Sequence, residues 1–167
     1  MPNLSESPKK QGRPWALIMS AAVLLSADRW FKGLAMATGA EGLWENAFGL
    51  PVDFRLFLNP GIVFSLPLPD LVFWPTATLA GGALICALAK TWRPQPAVAT
   101  ALIFVVLGGL SNVVDRMLVG SVIDYLIFFD LSAVNIADGM ILGGAIGAYW
   151  ITRKDGKNGS FAAGGRG

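Results

Sequence analysis

Four long apolar stretches, nearly free of charge, leave this chain few possible folds. They cover residues 15–34, 71–89, 97–114 and 133–152. A helix needs about 20 mostly apolar residues to cross a bilayer, so each stretch is long enough. Only 14% of the 167 residues are charged, whereas a soluble domain carries about 25%. The sequence therefore predicts a mainly α integral membrane protein, with four transmembrane helices in one domain over residues 15–152.

Basic residues beside these stretches predict their orientation. They lie before the first stretch, between the second and third, and after the fourth: Lys9, Lys10, Arg13, Lys90, Arg93, Arg153, Lys154 and Lys157. By the positive-inside rule both termini are cytoplasmic, and segments 35–70 and 115–132 lie outside. The polar or Gly-rich tails, 1–14 and 153–167, are expected to be disordered. The first stretch also resembles a secretory signal peptide, but we interpret it as a retained anchor, because cleavage would leave an odd number of spans.

Histidine and cysteine usage excludes several kinds of chemistry. The chain has no His and a single Cys, Cys86, which we expect to be a small buried apolar residue. A Ser-His protease, a zinc site of His/Cys type and a disulfide within the chain are therefore excluded. Gly109-Leu110-Ser111 resembles part of a serine-enzyme motif, but no base partner is available for it. We expect no metal and no cofactor.

Four aspartates stand out in this apolar background: Asp28, Asp115, Asp124 and Asp138. A charged side chain at mid-bilayer costs about 2.5 to 3.5 kcal/mol on insertion scales, so several carboxylates at one depth favour a site. The predicted topology brings all four to the outer side, with Asp124 in the outer loop. Asn112 and Asn135 each precede an aspartate by three residues, which puts each Asn and Asp on one helix face. The alternative is that these Asn/Asp pairs only join helices by hydrogen bonds.

Neighbouring charges separate the four aspartates into two kinds. Lys32 follows Asp28 by four residues and Arg116 adjoins Asp115, so these two carboxylates are expected to be neutralised and structural. Asp124 and Asp138 have no adjacent basic residue. A pair of acids that shares the roles of proton donor and acceptor needs unneutralised carboxyls in an apolar setting. This favours Asp124 with Asp138 over Asp115 with Asp138.

The outer segment 35–70 has a different pattern from the apolar stretches. Residues 52–58 alternate in part like a strand, Asn59-Pro60-Gly61 is typical of a turn, and Ile62-Val63-Phe64-Ser65 follows. We predict a small β element on the outer membrane surface, able to seat an extended peptide along a strand edge.

Five ordered motifs then suggest a family. They are Asp28-Arg29-Trp30-Phe31-Lys32, residues 59–65, Gly108-Gly109-Leu110-Ser111-Asn112-Val113-Val114-Asp115-Arg116, Gly120-Ser121-Val122-Ile123-Asp124-Tyr125 and Asn135-Ile136-Ala137-Asp138. In order and spacing they resemble the lipoprotein signal peptidase (signal peptidase II) family over residues 15–152. The resemblance implies a multi-pass aspartyl endopeptidase of the bacterial inner membrane. It would remove the signal peptide of a prolipoprotein immediately before a cysteine that carries diacylglycerol.

The resemblance also implies residue roles. Asp124 and Asp138 would be catalytic, and the supporting residues would be Asp28, Lys32, Asn59, Asn112, Asp115, Arg116 and Asn135. The implied partners are the prolipoprotein and membrane lipid, with no nucleic acid, and the protein is expected to be a monomer. The chain departs from the family pattern at Arg29, Phe31 and Val63, where Gln, Thr and Ala are usual, and between Asp124 and Asn135, where it is short.

The residues alone also allow a second class of function. A small four-helix channel or transporter subunit could bind cations or relay protons with membrane-edge aspartates. A relay normally distributes acids through the membrane depth. The inner halves of the second and fourth stretches contain no acid, which argues against this alternative.

Overall fold

Four helices and three strands make up the part of the chain that the structure describes. The computed structural model describes residues 15–39, 44–45, 49–61 and 69–164, with side chains to residue 154. In chain order the elements are α1 (Trp15–Thr38), β1 (Val52–Asn59), α2 (Asp70–Thr91), α3 (Pro96–Val119), β2 (Val122–Phe128), β3 (Ser132–Val134) and α4 (Ile136–Gly164). The mainly α class with a small β element is confirmed.

The helix ends follow from local chemistry and differ somewhat from the predicted stretches. Pro96 begins α3, where its missing N–H costs nothing, and Gly120 ends it with a left-handed φ of +76°. α4 starts at Ile136 instead of 133, because Ser132–Val134 form β3. It also continues to Gly164. The tail 1–14 lies outside the described residues.

Two of the described helices, α2 and α3, are long and apolar enough to cross a membrane. The other two carry charges within or beside their apolar stretches, including Asp28, Lys32 and Asp138. α2 contains no fully buried residue, because it packs against α3 on one side and is exposed over much of its remaining surface. Cys86 is exposed on this helix, and the expectation that it would be buried inside the protein was wrong.

α3 is the central helix and approaches α4 closely. It contacts each of the other three helices. A Cβ at Gly108 would lie 2.5 Å from the Ala137 carbonyl oxygen, and one at Gly144 would lie 2.6 Å from that of Ala101. At these two positions the absence of a side chain lets the helix backbones approach closely. Gly81 and Gly82 on α2 have no neighbour within 4 Å of an added Cβ, so they do not have this role.

The three strands form one antiparallel sheet in the order β1-β2-β3. Phe57 is opposite Asp124, and Asn59 is opposite Val122, with an irregularity in register between Phe54 and Phe57. Asp124 therefore lies in the central strand of the sheet, within the segment 115–132 that the sequence predicted to connect the third and fourth spans. The partner strand β1 is distant in sequence, so local patterning did not reveal the pairing. Residues 62–65 lie outside the described part of the chain.

Candidate active site

The innermost part of the site is an ion cluster between α1 and α3. Lys32 Nζ lies 3.0 Å from Asp28 Oδ2 and 2.7 Å from Asp115 Oδ2, and all three side chains are fully buried. Arg29 Nη1 lies 2.5 Å from Asp115 Oδ1. The predicted pairing of Asp28 with Lys32 is confirmed. Two cations thus balance two carboxylates, which offsets much of the cost of burying them.

Asp28 extends this cluster to the sheet and to α4. Its Oδ2 accepts a hydrogen bond of 2.6 Å from the Ser111 hydroxyl. Its Oδ1 accepts the Tyr125 hydroxyl and the Ala137 N–H, each at 3.1 Å. One side chain on α1 therefore holds α3, β2 and the first turn of α4 together.

Asn112 connects the ion cluster to Asp138. Lys32 Nζ donates to Asn112 Oδ1 at 2.9 Å, and Asn112 Nδ2 donates to Asp138 Oδ1 at 2.8 Å. An ammonium group has only donors, so the amide oxygen must face Lys32 and the amide nitrogen must face Asp138. The orientation of Asn112 is set by its neighbours.

Two further asparagines orient in the same way toward Asp124. Asn59 Oδ1 accepts the Gly61 N–H at 3.0 Å, which directs Nδ2 to Asp124 Oδ2 at 3.0 Å. Asn135 Oδ1 accepts the Asp138 N–H at 2.9 Å, which directs Nδ2 to Asp124 Oδ1 at 2.6 Å. Each oxygen of the Asp124 carboxyl therefore receives one N–H from an amide of fixed direction.

Burial raises the pKa of Asp124 from 3.8 to about 6. Hydrogen bonds from Asn59 and Asn135 oppose this rise, and the nearby Asp138 carboxylate adds to it. The side chain is only 1% exposed. Asp124 is thus a carboxyl that can change protonation state near neutral pH, as acid–base catalysis requires.

Asp138 is positioned by the start of α4. Asn135 precedes the first helical residue, and its Oδ1 accepts the Asp138 N–H, while Asp138 Oδ2 accepts the Asn135 N–H at 3.3 Å. This reciprocal arrangement is a capping box, here with Asn and Asp. The Asn135 amide also donates to Asp124. Asn135 therefore bridges the buried Asp124 carboxyl and the half-buried Asp138 carboxyl.

Arg116 does not have the partner that the sequence predicted. It was expected to neutralise the adjacent Asp115, but Asp115 binds Arg29 and Lys32 instead. Arg116 donates to the carbonyl oxygens of Pro60 and Gly61. The physical reason is that consecutive helical residues point in different directions. Arg116 therefore fixes the turn whose Gly61 N–H orients Asn59.

These contacts link all nine residues singled out from the sequence: Asp28, Lys32, Asn59, Asn112, Asp115, Arg116, Asp124, Asn135 and Asp138. Sequence reasoning missed the parts played by Ser111, Arg29 and Tyr125, which bind Asp28 or Asp115. All three lie inside the motifs that resemble the family, and this position was the only sign in the sequence that they belong to the site. In the described part of the chain every buried side-chain N or O has a hydrogen-bond partner, and no group of three or more His, Cys, Asp or Glu could hold a metal ion.

The fold and the site define a helical protein with a carboxyl pair suited to acid–base hydrolysis. The family described as signal peptidase (SPase) II matches residues 20–153. The lipoprotein signal peptidase of Neisseria meningitidis serogroup C is 31% identical over 92% of this chain and 99% of its own length. That of Xanthomonas campestris pv. campestris is 30% identical over 92% and 96%. This chain belongs to the signal peptidase II family.

A solved structure has the same fold. It is described as a bacterial membrane enzyme structure obtained by the in meso method at 2.3 Å resolution, and it is similar with a TM-score of 0.70. The likeness covers 87% of this chain and 92% of the other at 20% identity.

Proposed function

We propose that Asp124 and Asp138 are the catalytic pair of this chain. As a member of the signal peptidase II family, the chain is an aspartic-type endopeptidase that cleaves the signal peptide from prolipoproteins. The observation that carries the assignment is the difference between the two carboxyl pairs. Asp28 and Asp115 are occupied by Lys32 and Arg29, and a carboxylate neutralised in this way is a poor base.

Asp124 and Asp138 have surroundings of another kind. Their hydrogen-bond donors are neutral amides and a backbone N–H, and in the described part of the chain neither forms an ion pair. Both carboxyls are held by Asn135, so their relative geometry is fixed before substrate binds. Such preorganisation is what acid–base catalysis needs.

The hydrogen bonds favour one assignment of roles. Asp124 receives a side-chain amide on each oxygen, at 3.0 and 2.6 Å, which stabilises its ionised form. Asp138 Oδ2 receives only a backbone N–H at 3.3 Å and is the freer oxygen to carry a proton. Asp124 then takes a proton from the attacking water, while Asp138 donates to the scissile carbonyl oxygen. When the tetrahedral intermediate collapses, the proton on Asp124 passes to the leaving amine and Asp138 takes back a proton from the hydroxyl group that becomes the carbonyl.

The substrate bond is proposed to be the one immediately before a diacylglyceryl-modified cysteine. The four helices would all span the bacterial inner membrane, with both termini cytoplasmic and the carboxyl pair near the outer face. The acyl chains would stay in the bilayer, and the signal helix would reach the site sideways. The channel or transporter alternative is not favoured, because the acids gather in one cluster instead of being distributed along a path.

The test is cleavage by the purified full chain in detergent. A diacylglyceryl-modified prolipoprotein should be cut, and the unlipidated precursor should not. Asp124→Asn and Asp138→Asn should each remain folded and lose at least about 100-fold in turnover, because an amide can neither accept nor supply the proton. Asp130→Asn is the matched control, since this carboxylate is 74% exposed in the β2–β3 turn.

One result would contradict the catalytic assignment, and another would contradict the proposed lipidated substrate. If Asp124→Asn keeps near-normal turnover while folded Asp115→Asn loses it, Asp115 is the partner of Asp138. If both precursors are cut equally, the enzyme does not require the lipid.

A further inference from the structure

Tyr125 follows Asp124 in β2, and its side chain contacts both α1 and the start of α4. Its side chain is among the most deeply buried in the protein, at 1% exposure. The ring packs against Phe31 of α1, with centroids 5.6 Å apart, and against Phe54 of β1 at 5.5 Å. Successive strand residues point to opposite faces. The Tyr125 ring therefore lies in the core behind the site.

The hydroxyl group makes two hydrogen bonds of fixed direction. It donates to Asp28 Oδ1 at 3.1 Å and accepts the Ile136 N–H at 3.0 Å. An ionised carboxylate only accepts and a backbone N–H only donates, so the hydroxyl proton must point to Asp28. Burial raises the pKa of Tyr125 above its usual value, which keeps that proton in place.

Ile136 is the first residue of α4, and its N–H has no partner within the helix. The first turn of a helix leaves such N–H groups unsatisfied. Here three consecutive ones bind side chains: Ile136 N–H binds Tyr125, Ala137 N–H binds Asp28 and Asp138 N–H binds Asn135. The start of α4 is thus held from outside the helix at three successive residues.

We propose that Tyr125 is a positioning residue for the hydrolysis, whose hydroxyl holds the first turn of α4 and so fixes Asp138 relative to Asp124. The inference rests on the proposed catalytic pair. Asp124 and Tyr125 are adjacent in one strand, so β2 carries one carboxyl directly and locates the other through the tyrosine. A displacement of about 1 Å at a reacting group can cost 100-fold in rate.

Tyr125→Phe tests this role, because it keeps the ring and removes only the hydroxyl. We expect kcat to fall about tenfold or more, with KM nearly unchanged, since the substrate-binding surface is not altered. The pH at which activity declines should stay the same, because the partners of Asp124 are kept. Tyr149→Phe is the matched control. Tyr149 is 58% exposed, and its hydroxyl only accepts from Arg153.

Hydrogen exchange gives a second readout that does not depend on turnover. Amide exchange in a peptide covering residues 133–140, measured in detergent by mass spectrometry, should speed up in Tyr125→Phe and not in Tyr149→Phe. Normal kcat with unchanged exchange would overturn the inference, and so would an activity loss that only follows the unfolded fraction. If the wild type fails to cleave the lipidated precursor, the proposed function fails, and the exchange result alone still decides the link to α4.

Discussion

At the residue scale, the site depends on three asparagines whose side-chain amides each have a single possible orientation. Each of the three amides has a donor on its oxygen: an ammonium for Asn112, and backbone N–H groups for Asn59 and Asn135. Their N–H groups must therefore face the two carboxyls. Neutral donors can stabilise a carboxylate without the strong pKa depression that a cation causes. This allows Asp124 to stay close to the pH range in which it must exchange protons.

The pH dependence follows from Asp124. With its pKa raised to about 6 by burial and a role as base, activity should fall as pH drops below about 6, approaching tenfold per pH unit. Stability should change in the opposite sense. A carboxyl whose folded pKa is raised contributes stability below its unfolded pKa of 3.8, and that contribution is lost as pH rises through about 6. Between these two pH limits the free energy of unfolding changes by at most about 3 kcal/mol because of Asp124.

Thermal unfolding and turnover of the wild type, measured from pH 4 to pH 8 beside Asp124→Asn, check both trends. The variant should lack this part of the dependence of Tm on pH. Turnover that increases steadily as pH falls through 6 would mean that Asp124 begins as the proton donor, which would exchange the two proposed roles.

At the element scale, the close approach of α3 and α4 sets the position of Asp138. Gly108 faces the Ala137 carbonyl, one residue before the proposed acid. Glycine is required here because no side chain fits between the two backbones. The sequence did not indicate that this contact supports the site.

Gly108→Ala should therefore impair both fold and catalysis. The new Cβ would lie 2.5 Å from the Ala137 oxygen, so the start of α4 must move away. We expect a loss of about 1 to 3 kcal/mol in stability and up to about 100-fold in turnover of the folded protein. Gly109→Ala is the control on the same helix, because an added Cβ there has no neighbour within 4 Å. Equal behaviour of the two variants in unfolding and cleavage assays would refute the argument.

At the scale of the whole molecule, charge distribution governs how the chain would sit in a bilayer. α2 and α3 are apolar enough to cross it by length and composition. α1 carries Asp28 and Lys32 and α4 carries Asp138, and these three side chains are paired or hydrogen-bonded inside the protein. Such internal partners lower the cost of burying charge in a membrane, which supports the proposal of four spans.

Cysteine labelling of intact cells can test this topology. Because Cys86 is exposed, the background must be Cys86→Ala. Asp130→Cys should react with a membrane-impermeant maleimide, while Lys90→Cys and Lys157→Cys should react only after the cells are opened. Labelling of position 157 from outside would overturn the positive-inside argument, and with it the proposed side of the active site.

The sequence by itself determined the helical class, the gathering of carboxylates and asparagines, and the pairing of Asp28 with Lys32. These depend on apolar length, on helical spacing of three or four residues and on motifs, all of which are local. Tertiary structure alone decided that Asp124 lies in a strand, that Asp115 binds Arg29 and Lys32 instead of Arg116, and that Tyr125 links α1 to α4. Each of these joins residues from separate elements, and such contacts depend on how the elements pack together.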